Sequence, residues 1–151
     1  MYSSMRRLLI FLLLLISVPI APAGIRSFTI IASDPIVYIS MTDVDIWLSE
    51  FDIQHRDIVR AQVILETGYL TSYICRINKN LIGMRYPKVR PTTAIGSHEG
   101  HAVYDSFRAS IEDYYLWQKT FYKDEKDYFA FLVRMQYALD GSYINKLKTL
   151  I

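Results

Sequence analysis

Cysteine is nearly missing from this chain, with Cys75 alone among 151 residues. No internal disulfide can form, so oxidative staples do not hold the domain together, and a lone thiol reads as a small buried hydrophobe. A cysteine nucleophile would need a neighbouring histidine, and His55, His98 and His101 stand in no cysteine-protease context. No cysteine directly follows the amino-terminal apolar segment, which excludes a lipoprotein anchor. Charge of one sign is lacking as well: a formal net charge of +2 gives no footprint for nucleic acid. Metal-ligand spacing is missing too. His98 and His101 flank Glu99, but no third and fourth ligand follow, so neither a metal nor another cofactor is expected. Repeats and low-complexity linkers are absent.

What is present at the amino terminus has three parts. Arg6 and Arg7 precede an unbroken apolar run from Leu8 to Ile16, and the Ala21-Pro22-Ala23 stretch follows as a small-residue cleavage site. The run is well short of the roughly 20 residues that span a bilayer, so residues 1–23 read as a secretory signal peptide. Export to the periplasm or the exterior is expected, with no permanent membrane span. The alternative is an uncleaved signal that stays as an anchor, because Pro22 stands in the cleavage site. Residues 24–41, with Pro35, read as an extended lead-in.

Residues 42–151 form one domain by length, expected to be monomeric. Hydrophobic residues make up 52% and charged residues 21% of the chain, which excludes disorder. Twelve tyrosines either fill the core at helical spacing or line a groove with rings that carry a polar tip. Helical signals dominate. Thr42 is placed to cap a helix through Val44, Trp47, Leu48 and Phe51, with Asp43 and Asp45 in its first turn. A second helix is expected from Arg56 to Thr67, stopped by Gly68. The stretch from Ile82 to Phe107, with two prolines and three glycines, reads as a small hairpin or loop lobe with β-prone pieces at each end. Ser110 with Asp113 is expected to open a third helix. Asp124 with Asp127 opens a fourth, closed by Gly141, and a last short helix covers Tyr143 to Leu150. The fold class is mainly α (α+β). Lys88, Arg90 and Arg108 either face an anionic ligand together or make an ordinary solvated surface.

The second helix carries the chemistry. Ile58, Ala61 and Leu65 form one apolar stripe, and Val59, Val63 and Glu66 fall on a neighbouring one, so the helix is apolar over most of its circumference and expected in the interior. Glu66 stands in its last turn. Burial and the negative end of the helix dipole both disfavour the carboxylate and raise its pKa, as a general acid working near neutral pH requires. A structural glutamate bonded to a neighbour is the alternative. Gln62 lies one turn earlier on the same face.

The segments Ala61-Gln62-Val63-Ile64-Leu65-Glu66-Thr67-Gly68 and Asn80-Leu81-Ile82-Gly83-Met84 resemble the signature of the glucosaminidase family of peptidoglycan hydrolases, glycoside hydrolase family 73. The family pattern is A-Q-x-x-L-E-[ST]-G, a short polar segment, then N-L-F-G-[IM]-[KR]. Asp105-Ser106-Phe107-Arg108 and Ser110 to Tyr114 are similar to the family's F-R region. Tyr137-Ala138-Leu139-Asp140 through Tyr143 to Leu147 resembles its Y-A-T-D tail. The matches occur in the family's order and span residues 43–151.

The resemblance implies a lysozyme-like helical domain with a small β lobe and a sugar-binding groove between them. It implies cleavage of the β-1,4 bond after N-acetylglucosamine in peptidoglycan strands, with Glu66 as proton donor. Tyr137 is the better match to a site tyrosine in the tail. Gln62, Asn80, Gly83 and Tyr143 are the matching positions expected to shape or bind substrate. One departure stands out: where many relatives carry T-T-E, this chain reads Thr92-Thr93-Ala94. Glu99 or Asp105 would have to replace the missing carboxylate, or the substrate's own acetamido group acts as internal nucleophile. A non-catalytic wall-binding module, a lytic transglycosylase and a membrane-tethered interaction protein are the competing readings.

Overall fold

A computed structural model describes residues 38–123 and 125–151. The expected signal peptide, residues 24–37 of the lead-in and Asp124 lie outside them.

The first helix, α1 (Met41–Glu50), begins in a capping box. Ser40 Oγ accepts from the Asp43 amide at 3.3 Å, and the Asp43 carboxylate accepts the Ser40 amide at 2.8 Å. The expected cap Thr42 therefore lies inside the helix: Asp45 stands three residues beyond it as Asp43 does beyond Ser40, but the capping box closes on Ser40 and Asp43. Val44 and Leu48 turn inward. Helix α2 (Arg56–Thr67) has the expected bounds, and Gly68 closes it in the left-handed region at φ +54°. Thr67 Oγ1 donates back to the Val63 carbonyl at 2.6 Å and accepts the Leu70 amide at 2.8 Å, which locks the exit turn.

A helix unforeseen in the sequence follows: α3 (Tyr73–Asn78), capped by Ser72. Six residues are too few for helical periodicity to register. The expected lobe is a two-stranded antiparallel hairpin, β1 (Gly96–His98) with β2 (His101–Val103). Glu99 and Gly100, both at positive φ, make its two-residue turn. Both strands lie in the second half of the lobe, so the β-prone piece expected at its start is no strand. It is an irregular loop pinned by side chains.

The cap of helix α4 (Phe107–Phe121) is Ser106, four residues before the expected Ser110, and it accepts the Ala109 amide at 3.1 Å. Ser110 is buried within it, its hydroxyl donating to the Phe107 carbonyl. Asp127 caps α5 (Tyr128–Arg134) through the amides of Phe129 and Ala130. That helix ends well before Gly141: Gln136 takes a left-handed conformation, and the Tyr137 amide bonds to the Leu132 carbonyl. Last comes α6 (Tyr143–Lys148).

Helix α2 packs against both α1 and α6, while α3 packs on β2. Val59, Val63, Leu81, Ile111 and Phe131 are fully buried at the centre. Cys75 is 2% exposed and burial pushes its thiol up to about 11, so it is the inert hydrophobe expected. This is a mainly α, lysozyme-like fold with a small antiparallel lobe. Among the described residues no helix is long and apolar enough to cross a membrane.

The supposed basic cluster does not form. The Arg90 side chain is buried and grips Asp113 with its two terminal guanidinium nitrogens at 2.8 and 2.7 Å, while Thr92 and Tyr104 donate to the same carboxylate at 2.6 and 2.9 Å. Arg108 instead bonds Glu50 at 2.6 Å and lies over the Phe51 ring. Lys88 and Arg108 are both exposed.

Candidate active site

The last turn of α2 delivers Glu66 to the wall of a cleft of about 610 Å³, which Gly83, Arg85, His101, Trp117 and Tyr137 also line. Burial raises the Glu66 carboxyl above the ordinary range. The Tyr143 hydrogen bond and the nearby charge of His101 oppose that shift without cancelling it.

The two oxygens of Glu66 have different surroundings. Tyr143 donates its hydroxyl to Oε1 at 2.9 Å, so that oxygen serves as the acceptor. In the protonated acid the hydrogen consequently belongs on Oε2. Oε2 faces Gly83, which sits at φ +65° and where an added Cβ would stand 2.8 Å from it. Glycine is required there twice over, for the backbone conformation and for the open approach to Oε2.

Asn80 makes this approach rigid. Its Nδ2 donates to the carbonyls of Met84 and Ala102 at 2.8 and 3.0 Å, and its Oδ1 accepts the Met84 amide at 3.1 Å. The expectation that Asn80 contacts substrate is corrected: it is 3% exposed with its amide committed to backbone, and it holds the loop that carries Gly83. Gln62 is displaced from substrate in the same way. Fully buried, it accepts from the Tyr114 hydroxyl at 2.7 Å and donates to that of Tyr143 at 3.3 Å.

These bonds form a directed chain. Because Tyr114 gives its hydrogen to Gln62, the 2.7 Å contact with Tyr128 has Tyr128 as donor, and Gln118 Nε2 donates in turn to Tyr128 at 2.5 Å. From Gln118 through Tyr128, Tyr114, Gln62 and Tyr143, every donor points towards Glu66. Aligned donors in a low-dielectric interior reinforce one another and hold the last hydroxyl on its acceptor.

Tyr137 was the expected partner of the reacting centre, yet its hydroxyl donates to the Ile82 carbonyl. Its ring lines the cleft and packs 5.5 Å from Trp117 and 5.9 Å from Tyr143. Tyr143, placed by sequence among the substrate contacts, is 6% exposed and acts from beneath, on Glu66.

Glu99 stands exposed on the hairpin turn, away from the cleft wall. Asp105 lines a different hollow, beside Lys79 and Phe107. Thr92 and Thr93 turn inward to Asp113 and the Ala109 carbonyl, leaving Ala94 where relatives carry an acid. Among the described residues Glu66 is the only carboxyl in the cleft wall. His101 was weighed in the sequence as a partner for Cys75 and as a metal ligand. It instead lines the cleft from β2, its Nδ1 buried without a hydrogen-bond partner among the described residues. Trp117 was not singled out in the sequence, because no sequence period marks the ring at the edge of a core as cleft wall.

A mainly α lysozyme-like domain with one half-buried carboxyl of raised pKa at its cleft has the architecture of a glycoside hydrolase. The family model for glucosaminidase, described as mannosyl-glycoprotein endo-beta-N-acetylglucosaminidase, matches residues 44–151. The chain belongs to that family, and is a glycoside hydrolase. Two solved structures are similar. One is described as a type VI secretion system effector-immunity complex from Pseudomonas protegens, with 23% identity over 70% of this chain and 79% of that one and a TM-score of 0.53. The other is the catalytic domain of the autolysin Auto from Listeria monocytogenes, with 24% identity, coverage of 74% and 77%, and a TM-score of 0.47. The first likeness speaks for the fold alone. The comparison with curated proteins gave no match.

Proposed function

We propose that this chain cleaves the β-1,4 bond after N-acetylglucosamine in peptidoglycan glycan strands, with Glu66 as general acid. The observation that carries the reading is the asymmetric setting of Glu66: Oε1 accepts from Tyr143, and Oε2 opens over Gly83 into the cleft. Oε2 gives its proton to the bridging oxygen as the glycosidic bond breaks. The ring of Tyr137 and that of Trp117 supply apolar surface for the sugar faces.

Among the described residues no second carboxyl lies in the cleft wall, which favours the substrate acetamido group as nucleophile. Its carbonyl oxygen attacks the anomeric carbon while the leaving oxygen takes the Glu66 proton, which gives a cyclic oxazolinium intermediate. Water then opens that ring and returns a proton to Glu66, with net retention. In this reading Tyr143, Gln62 and Asn80 are positioning residues. The amino-terminal segment exports the enzyme, which acts as a monomer outside the cytoplasm.

Mass spectrometry of fragments released from purified peptidoglycan tests the reading. Reducing N-acetylglucosamine ends, lost in Glu66→Gln, are expected. Anhydro ends would replace the hydrolase with a lytic transglycosylase, and wall binding without release would make the domain a binding module.

A further inference from the structure

The loop after Gly83 holds an arginine with no task in the fold. Among the described residues Arg60, Arg90, Arg108 and Arg134 each grip a carboxylate, whereas Arg56, Arg76 and Arg85 have no side-chain ion pair or hydrogen bond, and of these three Arg85 is the one that lines the cleft. Arg85 is exposed and lines the cleft that contains Glu66. The cleft's other arginine, Arg90, has its guanidinium committed to Asp113.

The backbone beneath Arg85 is fixed. Asn80 holds the Met84 amide and carbonyl at 3.1 and 2.8 Å, and the Ala102 amide donates to the same carbonyl at 2.8 Å. Gly83, two residues before Arg85, lies against the Glu66 carboxyl. A long cationic side chain therefore starts from a rigid point beside the acid and has no internal partner. Its planar fork fits a carboxylate.

From this placement we infer that Arg85 is a specificity-determining residue, which binds a carboxylate of the substrate and selects acid-bearing glycans over neutral N-acetylglucosamine polymers. The inference rests on the glycan-cleaving reading above and names the substrate feature that the cleft recognises. In a wall glycan that carboxylate comes from the lactyl group of a stripped strand or from the stem peptide. A neutral polymer has neither. The adjoining Tyr86, 48% exposed, lines the same wall and offers a ring beside the charge.

The test measures binding by calorimetry to the full chain carrying Glu66→Gln, so that no ligand is consumed, with Arg85 intact, as Arg85→Gln and as Arg85→Lys. The ligands are an N-acetylglucosamine oligomer, a glycan strand stripped of peptides and a strand with its stem peptides. Arg85→Gln is expected to weaken an acidic ligand by about tenfold, as a charge-assisted hydrogen bond at a half-open site is worth. Binding of the neutral oligomer should be unchanged, and Arg85→Lys should recover part of the loss. Loss on the stripped strand assigns the lactyl carboxylate, and loss only with stems assigns the peptide. Equal changes on neutral and acidic ligands, or none on either, would overturn the inference. Fragment release by the chain without these substitutions separates the two failures: no release sinks the glycosidase reading, and release with indifferent Arg85 variants sinks this inference alone.

Discussion

Tyr143 donates its hydroxyl to Oε1 of Glu66 at 2.9 Å, joining α6 to α2 across 77 residues of chain. The bond lowers a carboxyl pKa that burial raises, so it sets where the acid loses its proton. Tyr143→Phe removes the lowering contribution. The alkaline limb of the pH–rate profile is therefore expected to move to higher pH. Gln62 Nε2 also loses its acceptor in the interior, which should cost about 1–2 kcal/mol of stability, read from the urea midpoint. An unmoved limb would show that Tyr143 serves packing only.

Glu66→Gln is expected to reduce kcat by about 10²- to 10⁴-fold, the usual worth of a positioned general acid. Its effect on stability has a definite sign. A raised folded pKa means that the native state binds the proton more tightly than the unfolded chain, so stability falls as pH rises through that window. The glutamine cannot ionise and escapes that loss. Its Tm should exceed the unsubstituted protein's at pH 7–8, with the difference shrinking towards pH 4, and calorimetric scans across pH check this.

Gly83→Ala places a methyl group 2.8 Å from Oε2 in a backbone conformation that alanine resists. The strain is expected to cost about 1 kcal/mol or more, and displacement of the acid to lower kcat by about 100-fold. A crystal structure of the variant should show Glu66 turned away from the loop. Near-normal turnover would mean that Oε2 is not the oxygen that gives the proton.

Asp113 is held below the ordinary carboxylate range. Burial works to raise it, and the bonds from Arg90, Thr92 and Tyr104 together outweigh burial. The stabilisation is present above the unfolded carboxyl pKa and is lost as pH falls through the folded value, so it weakens below about pH 4. Asp113→Asn strands a buried guanidinium and is expected to destabilise the domain by about 3–5 kcal/mol at pH 7. Denaturant titrations at pH 7 and pH 3 should show the gap narrowing in acid.

Much of the scaffold was legible in the sequence, since helix bounds and caps depend on neighbours along the chain. The apolar periodicity of residues 56–67 and the glycine behind them marked α2 and put Glu66 in its last turn. Asp127 was visible as a cap, and the mixture of glycine and proline after Ile82 marked the lobe. Where two polar residues competed, as with Ser40 and Thr42 or Ser106 and Ser110, the choice turned on a backbone amide that composition does not reveal.

The site was legible only as residue types in the family's order. Gln62, Asn80, Gly83, Tyr137 and Tyr143 were all marked in the sequence, but their tasks were not. A side chain's partner is set by contacts between segments tens of residues apart. Tertiary packing gave the Glu66 bond to Tyr143 rather than Tyr137, turned Gln62 and Asn80 inward, and brought Arg85 and His101 to the cleft. It also buried Arg90 against Asp113 and left Glu99 on an exposed turn. Patterns along the chain were enough for most of the helices, for the place of Glu66 and for the family's motifs. Which atoms meet the Glu66 carboxyl follows from packing alone, because burial and hydrogen bonding are properties of the folded chain.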